Sequence, residues 1–129
     1  MSELAEKMKA DALEAQKFTR KHLVLELDFS LHSIEEIEAH CDDVEYAVQG
    51  GKSDENVEML TRIWGAYVGE ALLRACGGEW AREQSDEGDR IALRGDKQTI
   101  YPHQRVRQRL TAGPEYSIVS YFQEMSEGS

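Results

Sequence analysis

Ile63-Trp64-Gly65-Ala66-Tyr67-Val68-Gly69-Glu70, running on to Gly77-Gly78-Glu79-Trp80, decides how this chain is read. The apolar spacing is helical, yet two glycines lie four residues apart on one face and the segment ends at a double glycine. Glycine costs a helix interior about 1 kcal/mol relative to alanine. A pair on one face therefore implies close approach by another backbone or by a ligand. The stretch 63–80 is accordingly the expected packing centre of the fold.

Upstream, Ser53 or Asp54 starts this helix, with Glu55 at the positive end of its dipole. Val57, Leu60, Trp64, Val68, Ala71 and Ala75 form its apolar stripe, and Gly77 suits a left-handed C-terminal cap. The preceding helix opens at Ser33-Ile34-Glu35-Glu36, which reads as a capping box. Ile34, Ile37, Cys41, Val44 and Val48 give it one apolar face, and Gln49-Gly50-Gly51-Lys52 stops it. A first amphipathic helix covers residues 3–21, with Leu4, Met8, Ala12, Ala15 and Phe18 on one side. Leu23, Leu25, Leu27 and Phe29 alternate with Val24, Glu26, Asp28 and Ser30, as in a short strand or an extended link into the next helix, and the extended link is favoured.

Downstream of Gly78 the pattern turns to sheet. Glu79–Glu83, Arg90–Arg94 and Gln98–Tyr101 alternate apolar and polar residues around Ser85–Asp89 and Gly95–Lys97, which are turn-forming. Such a meander of two or three strands must lie on helices to be stable. Pro102 suits the first position of a helix anchored by Val106 and Leu110 and ended by Gly113. Pro114 starts another, carrying Tyr116, Val119, Tyr121, Phe122 and Met125. The expected fold is α+β: N-terminal helices, a small antiparallel meander packed on a central glycine-containing helix, and short C-terminal helices. Residues 1–129 read as a single domain, with 126–129 as a frayed tail.

The charge is uneven. Residues 31–60 hold nine acids against Lys52 alone, so −8 of the chain's −10 falls there. In residues 101–129, Arg105, Arg107 and Arg109 balance three glutamates and are expected to offset the acidic helix within the fold or in a neighbouring copy. A negative field repels nucleic acid and anionic membrane and attracts basic partners. Nothing resembles a secretory signal at Met1-Ser2-Glu3-Leu4, and no apolar run reaches the roughly 20 residues of a membrane span. The expected location is the cytoplasm, where Cys41 and Cys76 remain free thiols.

No phosphate-binding loop, dinucleotide fingerprint, nucleophile elbow or paired C-x-x-C is present, so no catalytic residue or cofactor is assigned. His40-Cys41-Asp42-Asp43 offers metal-ligand types, but adjacent helical positions diverge and Glu36 with His40 supplies two ligands at most. His22, His32 and His103 are isolated in the sequence, and no metal is expected. Two functions compete. The first is a protein-binding module, immunity- or antitoxin-like, that offers Glu35, Glu38, Asp42 and Glu45 to a basic partner from a solvent-exposed helix face. The second is a small-molecule-binding domain or enzyme with a pocket at the glycine face, lined by Gly65, Tyr67, Gly69, Glu70 and Trp80. Glu70 and Arg74 have the spacing and order of a helical ion pair. Either a monomer or a homodimer suits both.

Trp64-Gly65-Ala66-Tyr67-Val68-Gly69-Glu70, then Gly77-Gly78-Glu79-Trp80, a short meander, Pro102 and the Arg109–Gly113 helix end resemble a group of small bacterial proteins of unknown function. The resemblance covers roughly residues 55–123. It implies a stand-alone bacterial cytoplasmic α+β domain and carries over no site residues.

Overall fold

Helix α3 (Asp54–Cys76) is surrounded by the rest of the molecule. In the computed structural model, which describes residues 3–49, 54–86, 88–95 and 98–127, ten consecutive residues from Ile63 to Leu72 are buried. A helix buried all round has neighbours on every side. Helix α1 (Glu3–Leu23) lies along one side and α4 (Pro102–Ala112) along another. Helix α2 (Leu31–Gln49) and α5 (Ile118–Glu127) pack on α4 and on each other. A short 3-10 turn, Pro114–Tyr116, joins α4 to α5.

The meander forms a three-stranded antiparallel sheet of β1 (Glu79–Ser85), β2 (Gly88–Arg94) and β3 (Thr99–Ile100). Trp80 pairs with Leu93, and Leu93 with Ile100, so one buried row crosses all three strands. Beyond that row the same face continues as Ile91 and Asp89, which are progressively more exposed. The strands are unequal. β1 and β2 pair over their full length, whereas β3 pairs only with Leu93 and Arg94. Pro102 is the reason, because it occupies the first turn of α4 and cannot donate to a sheet.

The architecture is the α+β arrangement expected, with local corrections. Helix α2 begins at Leu31, and its cap is Ser30: the Ser33 amide donates to Ser30 Oγ at 3.2 Å. Ser33 is therefore the third helical residue, and its own hydroxyl turns inward to Ser30 O at 2.7 Å. The box motif marked the right turn but the wrong residue. The link 24–28 is not a strand, and Val24 and Phe29 bound it with positive φ of 57° and 65°. Phe29 is held there by stacking on Tyr67, with centroids 4.6 Å apart, and by the Arg74 guanidinium 3.5 Å above its ring. Ala75, expected on the buried stripe, is exposed. Helix α5 extends through Ser126 and Glu127, while residues 128 and 129 lie outside the described residues. The expected helix stop at 50–52 lies outside them too, as do the side chains of Val44 and Val48.

Gly69 tests this packing. A Cβ built there overlaps the Trp80 ring and lies 3.1 Å from Pro102 Cγ. The indole is rigid and buried, so Gly69→Ala is expected to lose about 1–3 kcal/mol. Chemical denaturation measures this, and an unchanged midpoint would show that Trp80 does not rest on α3.

Candidate functional site

The five glycine-face candidates are buried as core and do not gather at one site: Gly65 and Gly69 face His103 and Trp80, whereas Tyr67, two positions from each glycine, points to the other side of α3 against Phe29 and Ser33. Gly65 faces the ring of His103, where an added Cβ would lie 2.5 Å from Cδ2, and Gly69 faces Trp80. The Trp80 indole N–H donates to Glu70 Oε2 at 2.8 Å, and Glu70 is only 4% exposed. Its partner is thus the sheet rather than Arg74, whose guanidinium covers Phe29. Tyr67 Oη accepts from the Phe29 amide at 2.6 Å and lies 2.6 Å from Ser33 Oγ. Burial pushes the Tyr67 phenol above its ordinary pKa, with the bond to Ser33 opposing. Trp80, His103 and Pro102 fill the space that a pocket at Gly65 and Gly69 would need, so that expectation is corrected: the glycines admit these side chains, not a ligand.

The acidic helix face divides. Glu35 is solvent-exposed. Glu38 is turned inward, accepting from Arg109 Nε at 2.6 Å, Ser117 Oγ at 2.5 Å and the Val119 amide at 3.2 Å. Asp42 is largely exposed, yet it also accepts from Arg109, through Nη2. The side chain of Glu45 lies outside the described residues. The expectation of solvent-exposed acids is corrected at Glu38, whereas Asp42 is exposed as expected although it pairs with Arg109. Arg109 is 2% exposed and needs both carboxylates. Burial works against its charge, and Asp42 and Glu38 outweigh that, leaving its pKa above the ordinary value. The pair ties α2 to α4, and Glu38 caps the start of α5.

A cleft of about 670 Å³ opens where no site was expected. One wall is the β2 stretch Gly88–Ile91; Glu58 and Thr61 of α3 and His103, Gln104 and Arg107 of α4 line the rest, with Tyr101 among them. Tyr101 Oη donates to Glu83 Oε1 at 2.8 Å, which holds the Glu83 pKa down and the Tyr101 pKa up. The Arg90 guanidinium stacks 4.2 Å from the Tyr101 ring centroid, and Arg107 pairs with Glu58. His103 had looked isolated in the sequence. Its ring lies on Gly65 and meets the Trp80 edge at a centroid distance of 5.9 Å. Neither ring nitrogen is exposed or makes a hydrogen bond of good geometry. Burial lowers its pKa from 6.5 to about 4, opposed by Asp11 and the Arg62 backbone and aided by Lys7. The signal available in sequence was Gly65 itself, which implies a close neighbour without naming it.

Among the described residues, no cluster of His, Cys, Asp and Glu is placed to hold a metal ion, and no helix is long and apolar enough to cross a membrane. Cys41 is buried and Cys76 half-buried, and neither is in a disulfide among the described residues. Comparison with protein-family models, curated proteins and solved structures gives no match.

Two outcomes follow from the buried groups. Glu38→Lys sets a second cation against Arg109 and is expected to lose about 3–5 kcal/mol, the scale for breaking a buried ion pair. Glu35→Lys should change stability by no more than about 0.5 kcal/mol. Equal melting temperatures for the two variants would contradict the division of the helix face. For His103, the folded pKa of about 4 lies below the ordinary 6.5. Its contribution is therefore complete above pH 6.5 and is lost as pH falls toward 4, a difference on the order of 3 kcal/mol. The gap in unfolding free energy between wild type and His103→Leu should narrow by that amount over this range. A gap independent of pH would show that the imidazole is solvated.

Proposed function

We propose that the chain is a small protein-binding module for a basic partner, in the manner of immunity or antitoxin proteins. One observation carries the reading: most of the arginines are engaged within the fold while the chain keeps a large net negative charge. Among the described residues, Lys7, Arg20, Arg62, Arg90, Arg94, Arg107 and Arg109 each pair with an acid of the same chain. Arg74 covers Phe29, and Arg105 lies 4.6 Å from the Tyr121 ring centroid. Each ion pair uses an acid as well as a cation, so the chain's net −10 is carried by its remaining acids, with Lys9, Lys17, Lys21 and Arg82 exposed and in no ion pair among the described residues. Such a field speeds encounter with a basic surface and makes it salt-dependent. The competing reading, a ligand pocket at the glycine face, loses support because Trp80 and His103 occupy that face.

Affinity capture from source cells at low and high salt tests this. The expected catch is enriched in basic proteins and is released as salt rises. Recovery of proteins with no basic bias, or recovery unaffected by salt, would remove the basic-partner reading.

A further inference from the structure

Helix α4 holds no acid in a chain that has 25. Its three arginines meet different fates. Arg107 pairs with Glu58, and Arg109 with Glu38 and Asp42. The Arg105 guanidinium has no carboxylate partner among the described residues. It is held instead against two rings, 4.6 Å from the Tyr121 centroid and 5.7 Å from that of Tyr116. A ring attracts the charge but does not take up the fork of N–H donors that a carboxylate would. Arg105 lines a second, smaller pocket of about 200 Å³ with Tyr101, Gln104, Gln108 and Tyr121. No carboxylate belongs to this lining, whereas Glu58 and Asp89 line the larger cleft. Gln104 and Gln108 stand one turn apart on α4, and neither side-chain amide is bonded within the protein among the described residues. Tyr121 Oη accepts the Tyr101 amide at 2.8 Å, which leaves its own O–H to donate. Burial raises the Tyr121 pKa, with the Tyr101 amide and Arg105 opposing, so the phenol keeps its proton at neutral pH.

We infer that this pocket binds the oxyanion head of a small ligand, a phosphate or a carboxylate, through the Arg105 guanidinium, the Gln104 and Gln108 amides and the Tyr121 hydroxyl. The planar guanidinium matches either head with two parallel bonds. The volume suits a head group rather than a drug-sized molecule. The tyrosine contacts hold Arg105 in place before a ligand arrives, so less order is lost on binding. The chain's net −10 opposes anions at a distance, and salt screens that field while leaving bonds at contact largely intact. Phosphate is expected to bind more tightly than carboxylate, because it brings more acceptor oxygens and more charge. The inference is independent of the basic-partner reading, since it concerns a different surface and the opposite charge.

Inorganic phosphate and acetate are the probes, titrated into nitrogen-15-labelled protein at fixed pH, with chloride holding the ionic strength constant. NMR follows the Arg105 Nε–H and the Gln104 and Gln108 side-chain amides. Phosphate should shift all three signals to saturation, acetate should shift the same signals with weaker binding, and chloride alone should leave them in place. Arg105→Lys keeps the charge but loses the planar fork, and should weaken phosphate binding by about tenfold or more. Gln108→Leu should weaken it too, and it carries the test if Arg105→Lys perturbs the backbone spectrum. Arg82→Gln removes an exposed arginine that is in no ion pair among the described residues, and should leave binding unchanged. Shifts that never saturate, or that chloride reproduces, overturn the inference. Saturable binding that survives both Arg105→Lys and Gln108→Leu overturns it as well. An equal loss from Arg82→Gln and Arg105→Lys would mark a response to overall charge and overturn the site. Tighter binding of acetate than of phosphate supports the site and assigns it a carboxylate head.

Discussion

The contact of Trp80 with Gly69 and Glu70 is the constraint on which the rest depends. A three-stranded sheet of this size cannot hold itself together in water. Here its first strand sends an indole onto the bare backbone of α3, and the indole N–H reaches a carboxylate one residue along that helix. Gly69 removes the side chain that would hold the ring away, and Glu70 satisfies the only polar atom the ring brings inside. The bond also gives buried Glu70 a donor, without which the carboxylate would be costly to keep in the core. Because Trp80, Leu93 and Ile100 are in register, fixing Trp80 places all three strands. Gly65 repeats the device one turn earlier for His103, which seats the start of α4.

The second constraint is electrostatic and lies between α2 and α4. Arg109 brings a permanent charge into a nearly sealed site between α2 and α4. Its planar donors match two carboxylates one turn apart, Glu38 and Asp42, and a lysine would not reach both with the same geometry. Glu38 also receives Ser117 and the first turn of α5, so one carboxylate orients three helices. Such a pair is weak evidence for net stability, since desolvation offsets much of the attraction. What it supplies is register, because either partner placed one turn away would leave a charge buried alone.

The glycine spacing, the double-glycine stop and Pro102 were legible because each reflects a local backbone rule that tertiary context did not override. What the glycines face was not, because a ring from a residue as distant as His103 leaves no mark beside Gly65. The acidic helix shows where pattern reading fails. Glu38 looks like one of several exposed acids, but it stands four residues after Ile34 and three before Cys41, on the flank of the apolar stripe. Glu35 follows Ile34 directly and so points well away from it. Arg109 likewise adjoins Leu110 and follows Val106 by three. Those offsets placed both charges at the edge of the core, and counting net charge concealed it. The cap shifted from Ser33 to Ser30 for a related reason: Phe29, stacked under Arg74, takes the left-handed turn that aims Ser30 at the helix.

The cleft is the least legible feature, since it arises from a difference in strand length rather than from any motif. Pro102 acts twice. It preorganises the first turn of α4, and it ends β3 after two residues by supplying no amide to the sheet. Every residue by which β3 falls short of β2 leaves that much of the β2 edge unmatched. Open edges invite sheet-to-sheet aggregation, and charged residues such as Asp89 and Arg90 are a common protection. Here the protection has a second component, because α3 and α4 stand beside the edge as walls. A second sheet approaching this part of β2 would meet Gln104 and Arg107 of α4, which line the cleft beside it.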